Sequence, residues 1–454
     1  MTVAIDHSTL HRTAKLFMDS GRAASLEEAL ALLQSFGLSV VVGAEAARTR
    51  DGQVALLTLV NLARRTLLAG IEVAGIGSEP LLVPLAVADT LGGAVRELGG
   101  RVTAQPRADW PCAVIGEVSL GASALPSWRL TWEGWRGGVV PLRDGWRLAE
   151  ANSMALAPAV AAAACAAEAF FFHAGDHPMA GARATGLSLW EPGADWATPN
   201  PVEPALAFLP SRLWLIGLGN LGQAYAWLLA CLPYNDPAEV ELVLQDFDRI
   251  TESNDSTSLL TSSKAIGRMK TRWVARWLER RGFVTFLEER RFGEWTQRHD
   301  AEPGVALCGV DNALARSALE RAGFELVVES GLGAGPQSFR NFSMHIFPGP
   351  RKAAQIWPPT EDAAGPNVSE QPAYSELRQK GMDACGLAQL ASRTVGVPFV
   401  GLFAGALVIG ELLRRLHGGQ TLAVASGSAA TLADIETWWA TPEPYSFGHV
   451  EVRQ

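Results

Sequence analysis

The sequence predicts an α/β protein of two tandem domains, each built around a largely parallel sheet. Short apolar strands alternate with helical stretches from Leu38 onward. Residues 176–210 hold six prolines and read as a linker. Both halves carry the same landmarks: a Pro-led, small-residue helix ending in His and Gly (Pro158 to His173 and Gly175; Pro398 to His417 and Gly418), then a short strand ending in Trp190 or Trp438. This points to a tandem duplication. The expected organisation is a helical segment over 1–36, one α/β domain with the linker at its end over 37–200, and a second over 201–454.

Composition sets limits. The 454 residues carry 38 Lys plus Arg against 47 Asp plus Glu, a formal charge of −9. That argues against a nucleic-acid or anionic-membrane partner, since both require a basic surface. With 19% charged and 48% hydrophobic residues, the chain has the apolar surface to fold. Its five cysteines form no CxxC pair and its eight histidines no ligand spacing, so neither a disulfide framework nor a structural metal is expected. MTVAIDHSTLHRTAK lacks a secretory pattern, and the expected location is cytoplasmic. Two apolar stretches, Met154 to Ala167 and Val395 to Gly410, end at glutamates. They fall short of the ~20 residues of a membrane span and read as buried core helices.

The elements follow in order. Ser25-Leu26-Glu27-Glu28 is a capping box opening a helix that Gly37 stops. Strands are expected at 39–42, 71–74, 81–85, 113–118, 128–132 and 138–142, and helices at 54–68, 87–98 and 155–172. In the second half, strands are expected at 213–216, 241–244, 284–287, 305–310, 326–329 and 339–347. Helices are expected from the glycine-rich turn to Cys231 and at 268–281, 313–322 and 397–416.

The chemistry is confined to the second half. Gly217-Leu218-Gly219-Asn220-Leu221-Gly222 joins a strand to a helix, where glycines let backbone N–H groups approach a phosphate. Alone, this turn suggests a dinucleotide. The matching place in the first half holds Gly43-Ala44-Glu45, without such a turn. The next strand ends in Asp246-Phe247-Asp248-Arg249-Ile250-Thr251-Glu252-Ser253-Asn254. An acidic residue there grips a ribose, of NAD or ATP alike, but the second Asp and the Ser-Asn pair have no use in a dehydrogenase. Gly267-Arg268-Met269-Lys270 follows, then Cys308-Gly309-Val310-Asp311-Asn312 and Arg316.

These four signatures, in this order over residues 211–440, resemble the ThiF/MoeB and ubiquitin-activating (E1-like) superfamily of adenylating enzymes. The resemblance implies tandem ThiF-like Rossmann-type domains forming a pseudo-dimer, the first a degenerate copy and the second active. It implies ATP, Mg²⁺ and adenylation of the C-terminus of a small β-grasp protein, followed by thioester formation and transfer to an E2-like conjugating enzyme, as in bacterial ubiquitin-like conjugation operons. Such a protein is a monomeric pseudo-dimer or a homodimer. Gly217, Gly219, Asn220 and Gly222 would form the nucleotide turn, Asp246 would bind the ribose, and Asn254 and Lys270 would meet the phosphates. Asp311 would hold Mg²⁺. Asp248 and Asn312 would either join the nucleotide site or only order their turns. Arg316 reads as structural.

One departure matters. The family places an arginine three residues after the Asn of the Ser-Asn pair, and this chain has Thr257 there. Lys264, Arg268, or an arginine from the N-terminal half, Arg12 or Arg22, are the candidates to replace it. After the strand at 339–347, residues 349–374 are Pro-rich and sit where the family has a crossover loop. Cys385 then enters a helical stretch, where a helix dipole favours a thiolate. Similarity to the autophagy-type activating enzymes makes it the candidate nucleophile. Three alternatives stay open: adenylation without a thioester step (sulfur transfer or peptide modification), an inert modifier-binding scaffold, and an NAD-linked oxidoreductase.

Overall fold

In a computed structural model, the structure describes residues 8–121, 123–358, 370–442 and 445–453. The N-terminal helices are α1 (Ala14–Asp19) and α2 (Leu26–Gln34). Ser25 caps α2 by accepting from Glu28 N at 3.0 Å, while the Glu28 carboxylate reaches one residue further back, to Ala24 N.

The first α/β unit runs β1 (Gly37–Val42), α3 (Arg50–Ala63), β2 (Gly70–Ala74), α4 (Leu91–Glu97), β3 (Arg101–Val102), β4 (Cys112–Ile115), β5 (Ser127–Glu133), β6 (Arg136–Pro141), α5 (Ala157–Ala174) and β7 (Thr185–Ser188). Its strand order is β3-β2-β1-β4-β5-β6-β7, parallel except for the antiparallel pairs β5–β6 and β6–β7. The strand expected at 81–85 is a loop, because Pro84 has no N–H to give a ladder. α4 starts only at its cap, Thr90, whose hydroxyl accepts from Gly93 N.

The second unit runs β8 (Phe208–Pro210), β9 (Arg212–Ile216), α6 (Asn220–Cys231), β10 (Glu241–Gln245), α7 (Lys270–Glu279), β11 (Val284–Glu288), β12 (Val305–Cys308), α8 (Ala313–Ser317), β13 (Leu326–Leu332) and β14 (Asn341–Phe347). It continues with α9 (Ala353–Ile356), α10 (Pro372–Gln379), α11 (Ala384–Ser392), α12 (Pro398–Leu416), β15 (Thr421–Ser428), β16 (Glu436–Ala440) and β17 (His449–Glu451). The order is β11-β10-β9-β12-β13-β14-β15-β16, and β17 pairs with β8 apart. Up to β15 this repeats the first sheet strand for strand. One shared landmark is displaced: β15 is the counterpart of β7, so Trp438, in β16, does not match Trp190. The expected helix over 313–322 ends at Ser317 and tightens into a 3₁₀ turn at Leu319–Arg321.

The halves meet through the helices after their first strands and through the two small-residue helices. Trp227 Nε1 of α6 donates to Thr58 Oγ1 of α3 at 3.1 Å, with both residues buried. Phe399 of α12 lies 5.7 and 5.8 Å from the rings of Phe170 and Phe171 of α5. Each such ring, fully buried, is worth about 1.5–3 kcal/mol. Among the described residues, α5 is the one helix long and apolar enough to cross a membrane, and 89% of it is buried inside the protein. The glutamates that end both apolar stretches are buried and paired: Glu168 with Arg183 at 2.6 Å, and Glu411 with Arg415 at 2.7 Å.

Candidate active site

The strand order reverses at β9: β10 and β11 lie on one side of it, β12 and β13 on the other. In open parallel sheets this switch opens a crevice at the carboxyl ends of the strands. The glycine-rich turn leaves β9 there, Asp246 leaves β10, and Asp311 follows β12.

The three glycines of the turn do different things. Gly217 has φ +83° and backs onto Val310; a Cβ on Gly222 would lie 1.9 Å from Gly217 O. Both positions are therefore demands of backbone packing. A Cβ on Gly219 would meet nothing within 4 Å, so this glycine opens into free space, as an approaching phosphate requires. Asn220 departs from expectation. Its side chain donates to Val397 O at 3.3 Å and packs against Gly401 of α12. Only its main chain belongs to the turn.

Asp246 is buried and ties the turn to β10: Oδ2 accepts from Leu218 N at 2.7 Å and Oδ1 from Asp248 N at 2.8 Å. Lys270, the first residue of α7, places Nζ 2.7 Å from Asp248 Oδ2 and 3.6 Å from Asp246 Oδ2. Asp248 thus pairs with the lysine beside Asp246. Asn254 Oδ1 accepts from Thr251 N at 2.9 Å and holds the 252–256 turn. Asn312 caps α8 through Ala315 N at 3.0 Å, and Arg316 pairs with the buried Glu329 at 3.0 Å.

A small cavity of about 140 Å³ is lined by Arg12, Asp311, Gln389, Ser392, Arg393 and Thr394. Arg12 comes from the N-terminal segment, which crosses the 252–256 turn: Ser253 N donates to Ser8 O at 2.7 Å, and Arg12 N to Ser256 Oγ at 3.1 Å. Its guanidinium donates to Thr394 Oγ1, while Nε is buried without a partner. Burial lowers the Arg12 pKa to about 10, and the like charge of Arg393 adds to this while Asp311 opposes it. Arg22 is elsewhere, paired with Asp176 at 2.6 Å. Lys264 is exposed, and Arg268 lines a different cavity of about 510 Å³ with Arg249, Arg272 and Arg276. Of the four candidate replacements for the missing arginine, the tertiary structure brings Arg12 alone to Asp311. Gln389, Arg393 and Thr394 carried no motif that sequence reading could use. Nor did Arg64 and Arg65, which follow α3 and clasp Asp255 at 2.9 and 3.0 Å.

Cys385 is the second residue of α11, whose cap Asp383 accepts from Gly386 N at 2.7 Å. It is exposed, and the other four cysteines are buried, which pushes Cys112 and Cys308 up to about 12. Gln389 Nε2 lies 3.7 Å from Cys385 Sγ, so one side chain touches both the thiol and the cavity. The centre of the expected crossover segment, 359–369, lies outside the described residues. Among the described residues no group of three or more His, Cys, Asp or Glu converges. Mg²⁺ needs no such cage, since one carboxylate plus substrate phosphates is a usual set, and Asp311 beside the crevice fits it.

Residues 37–189 match the BilD N-terminal domain and residues 209–419 the BilD C-terminal domain. The bacterial E1-like protein BilD of Collimonas sp. (strain OK412) is 59% identical over 449 residues, 99% of this chain and 97% of that one. Among solved structures, E. coli MccB with MccA-N7isoASN aligns at 13% identity and a TM-score of 0.34, covering 52% of this chain and 66% of that chain. E. coli MccB with ATP aligns at 12% identity and a TM-score of 0.33, covering 52% and 64%. So low a likeness extends no function to this chain. The two domain matches and the full-length relative decide the family: the chain belongs to the bacterial E1-like BilD proteins.

Proposed function

We propose that the chain adenylates a carboxylate with ATP and Mg²⁺ in its C-terminal half, and that the N-terminal half is a degenerate copy that completes the site. The observation that carries this is the convergence, at the sheet's switch point, of the Gly219 opening, Asp246, Lys270 and Asp311. The shared strand order supports the duplication, and Arg12 on Asp311's cavity supports a site shared between the halves.

In this reading the turn 217–222 takes the phosphates, Asp246 the ribose, and Asp311 the Mg²⁺, which neutralises phosphate charge. The substrate carboxylate attacks the α-phosphorus, an acyl–phosphate bond forms, the bond to the β-phosphate breaks, and pyrophosphate leaves. Lys270 and Arg12 offset the charge that develops. The substrate we favour is the C-terminus of a β-grasp protein. Cys385 Sγ then attacks the acyl carbon, a thioester forms and AMP leaves; the exposure of Cys385 and its contact with Gln389 favour this step. A reading without it, as in peptide modification, uses every residue named except Cys385.

A thermal-shift titration tests the nucleotide assignment. Saturating ATP with Mg²⁺ should stabilise the chain and NAD should not. Stabilisation by NAD alone would remove the adenylation reading.

A further inference from the structure

Residue 257 is where the family's phosphate-facing arginine is missing, and the structure shows what occupies its surroundings. Thr257 is buried, and a Cβ on Gly396 would lie 2.8 Å from Thr257 Cγ2. The chain leaving α11 therefore packs directly on the short side chain at 257. A hydrogen bond from Val395 N to Ala334 O at 2.8 Å, and one from Thr13 Oγ1 to Gly396 O at 3.0 Å, hold it there. An arginine at 257 would collide with this segment. The same segment begins with Arg393, on the wall of the cavity that holds Arg12 and Asp311.

Among the described residues the Arg393 guanidinium makes no hydrogen bond or ion pair, and Arg12 Nε is buried and unpartnered. Two guanidinium groups thus face one cavity whose only carboxylate is Asp311. Arg393 is exposed and Arg12 half-buried, and an anion in the cavity would be drawn to both. Asp311 with a bound Mg²⁺ would not be that anion, because the pair carries net positive charge. At about 140 Å³ the cavity is well below the ~300 Å³ of pockets that enclose a whole drug-sized ligand. That volume suits a phosphate group. The planar fork of arginine matches phosphate oxygens in pairs.

We infer that Arg393 is a polyphosphate-binding residue of the nucleotide site, supplying from the end of the Cys385 helix the positive charge that residue 257 lacks. The inference rests on the adenylation reading above. It assigns the β- and γ-phosphates of ATP, or pyrophosphate, to the Arg12–Arg393 cavity. It also makes the helix that carries Cys385 part of the phosphate site.

Calorimetric titration of the full chain with ATP, AMP and inorganic pyrophosphate, each with Mg²⁺, tests it. Arg393→Ala should weaken ATP and pyrophosphate binding tenfold or more and leave AMP binding unchanged, which also reports an intact fold. Arg393→Lys should recover part of the loss, since the charge returns without the fork. ATP affinity in Arg393→Ala equal to that of the unaltered chain would overturn the inference and leave the adenylation reading standing. Equal loss for ATP and AMP would assign Arg393 a structural role and overturn it too. If the unaltered chain binds neither nucleotide, the adenylation reading fails, and this inference with it.

Discussion

Arg65 Nη1, just after α3 in the N-terminal half, donates to Asp255 Oδ1 at 3.0 Å, one residue past Asn254. The guanidinium is buried, also donates to Leu259 O at 2.8 Å and Thr261 O at 3.1 Å, and burial holds its pKa well below the ordinary arginine value. Replacing it leaves these acceptors, in the loop that follows the Ser-Asn pair, without their donor. Arg65→Ala should cost on the order of 2 kcal/mol of stability, the scale of leaving buried acceptors without a donor. It should also weaken ATP binding, although Arg65 itself touches no nucleotide. Melting and nucleotide titration measured together check both effects.

The glycines of the turn separate packing from binding. Gly222→Ala places a methyl where only 1.9 Å is available to Gly217 O, so the variant should melt well below the parent or not fold. Gly219→Ala meets open space, so it should melt normally and lose affinity for ATP. Normal nucleotide affinity in Gly219→Ala would remove this turn from the site.

Asp311→Ala should keep the fold, since the residue is exposed, and should abolish Mg²⁺-dependent ATP–pyrophosphate exchange with the cognate substrate. Losing one well-placed charge at a developing anion costs on the order of 3 kcal/mol, about a hundredfold in rate. Exchange at the parental rate would take Asp311 out of the site.

Cys385→Ala should preserve exchange, because adenylation uses no thiol. It should form no reducible adduct with the substrate. Adenylate that accumulates in the unaltered chain, with no thioester on any cysteine, would select the mechanism without a thiol step.

His11 makes stability depend on pH. Its Nδ1 accepts from Ala14 N at 3.3 Å, and burial lowers its pKa from 6.5 to about 4, opposed by the charge of Asp255 and a hydrogen bond to the Arg65 main chain. With a depressed histidine pKa, the unfolded chain takes up the proton first. The contribution is therefore complete above pH 6.5 and is lost as pH falls from 6.5 toward 4. The shift sets a ceiling of about 3 kcal/mol, lowered by the ring's partial contact with water. His11→Asn keeps an acceptor for Ala14 N and cannot protonate, so its melting temperature should fall less over this range.

The local sequence determined what local physics determines. The glycine turn, the carboxylates at strand ends and the alternation of strands with helices are short-range patterns, and the structure places them where those patterns say. The strand at 81–85 misled because its apolar run hides the missing N–H of Pro84. Which cation faces Asp311 was not legible in the same way. Arg12, Arg22, Lys264 and Arg268 are equivalent as letters, and Arg393 belongs to no motif. The choice depends on how the N-terminal segment crosses the 252–256 turn and how Gly396 packs on Thr257. The contacts of Asn220 are likewise decided by the start of α12, whose cap residue Val397 offers its carbonyl as partner. These contacts join residues far apart in the chain, so only the packed structure could select among side chains of the same charge or polarity.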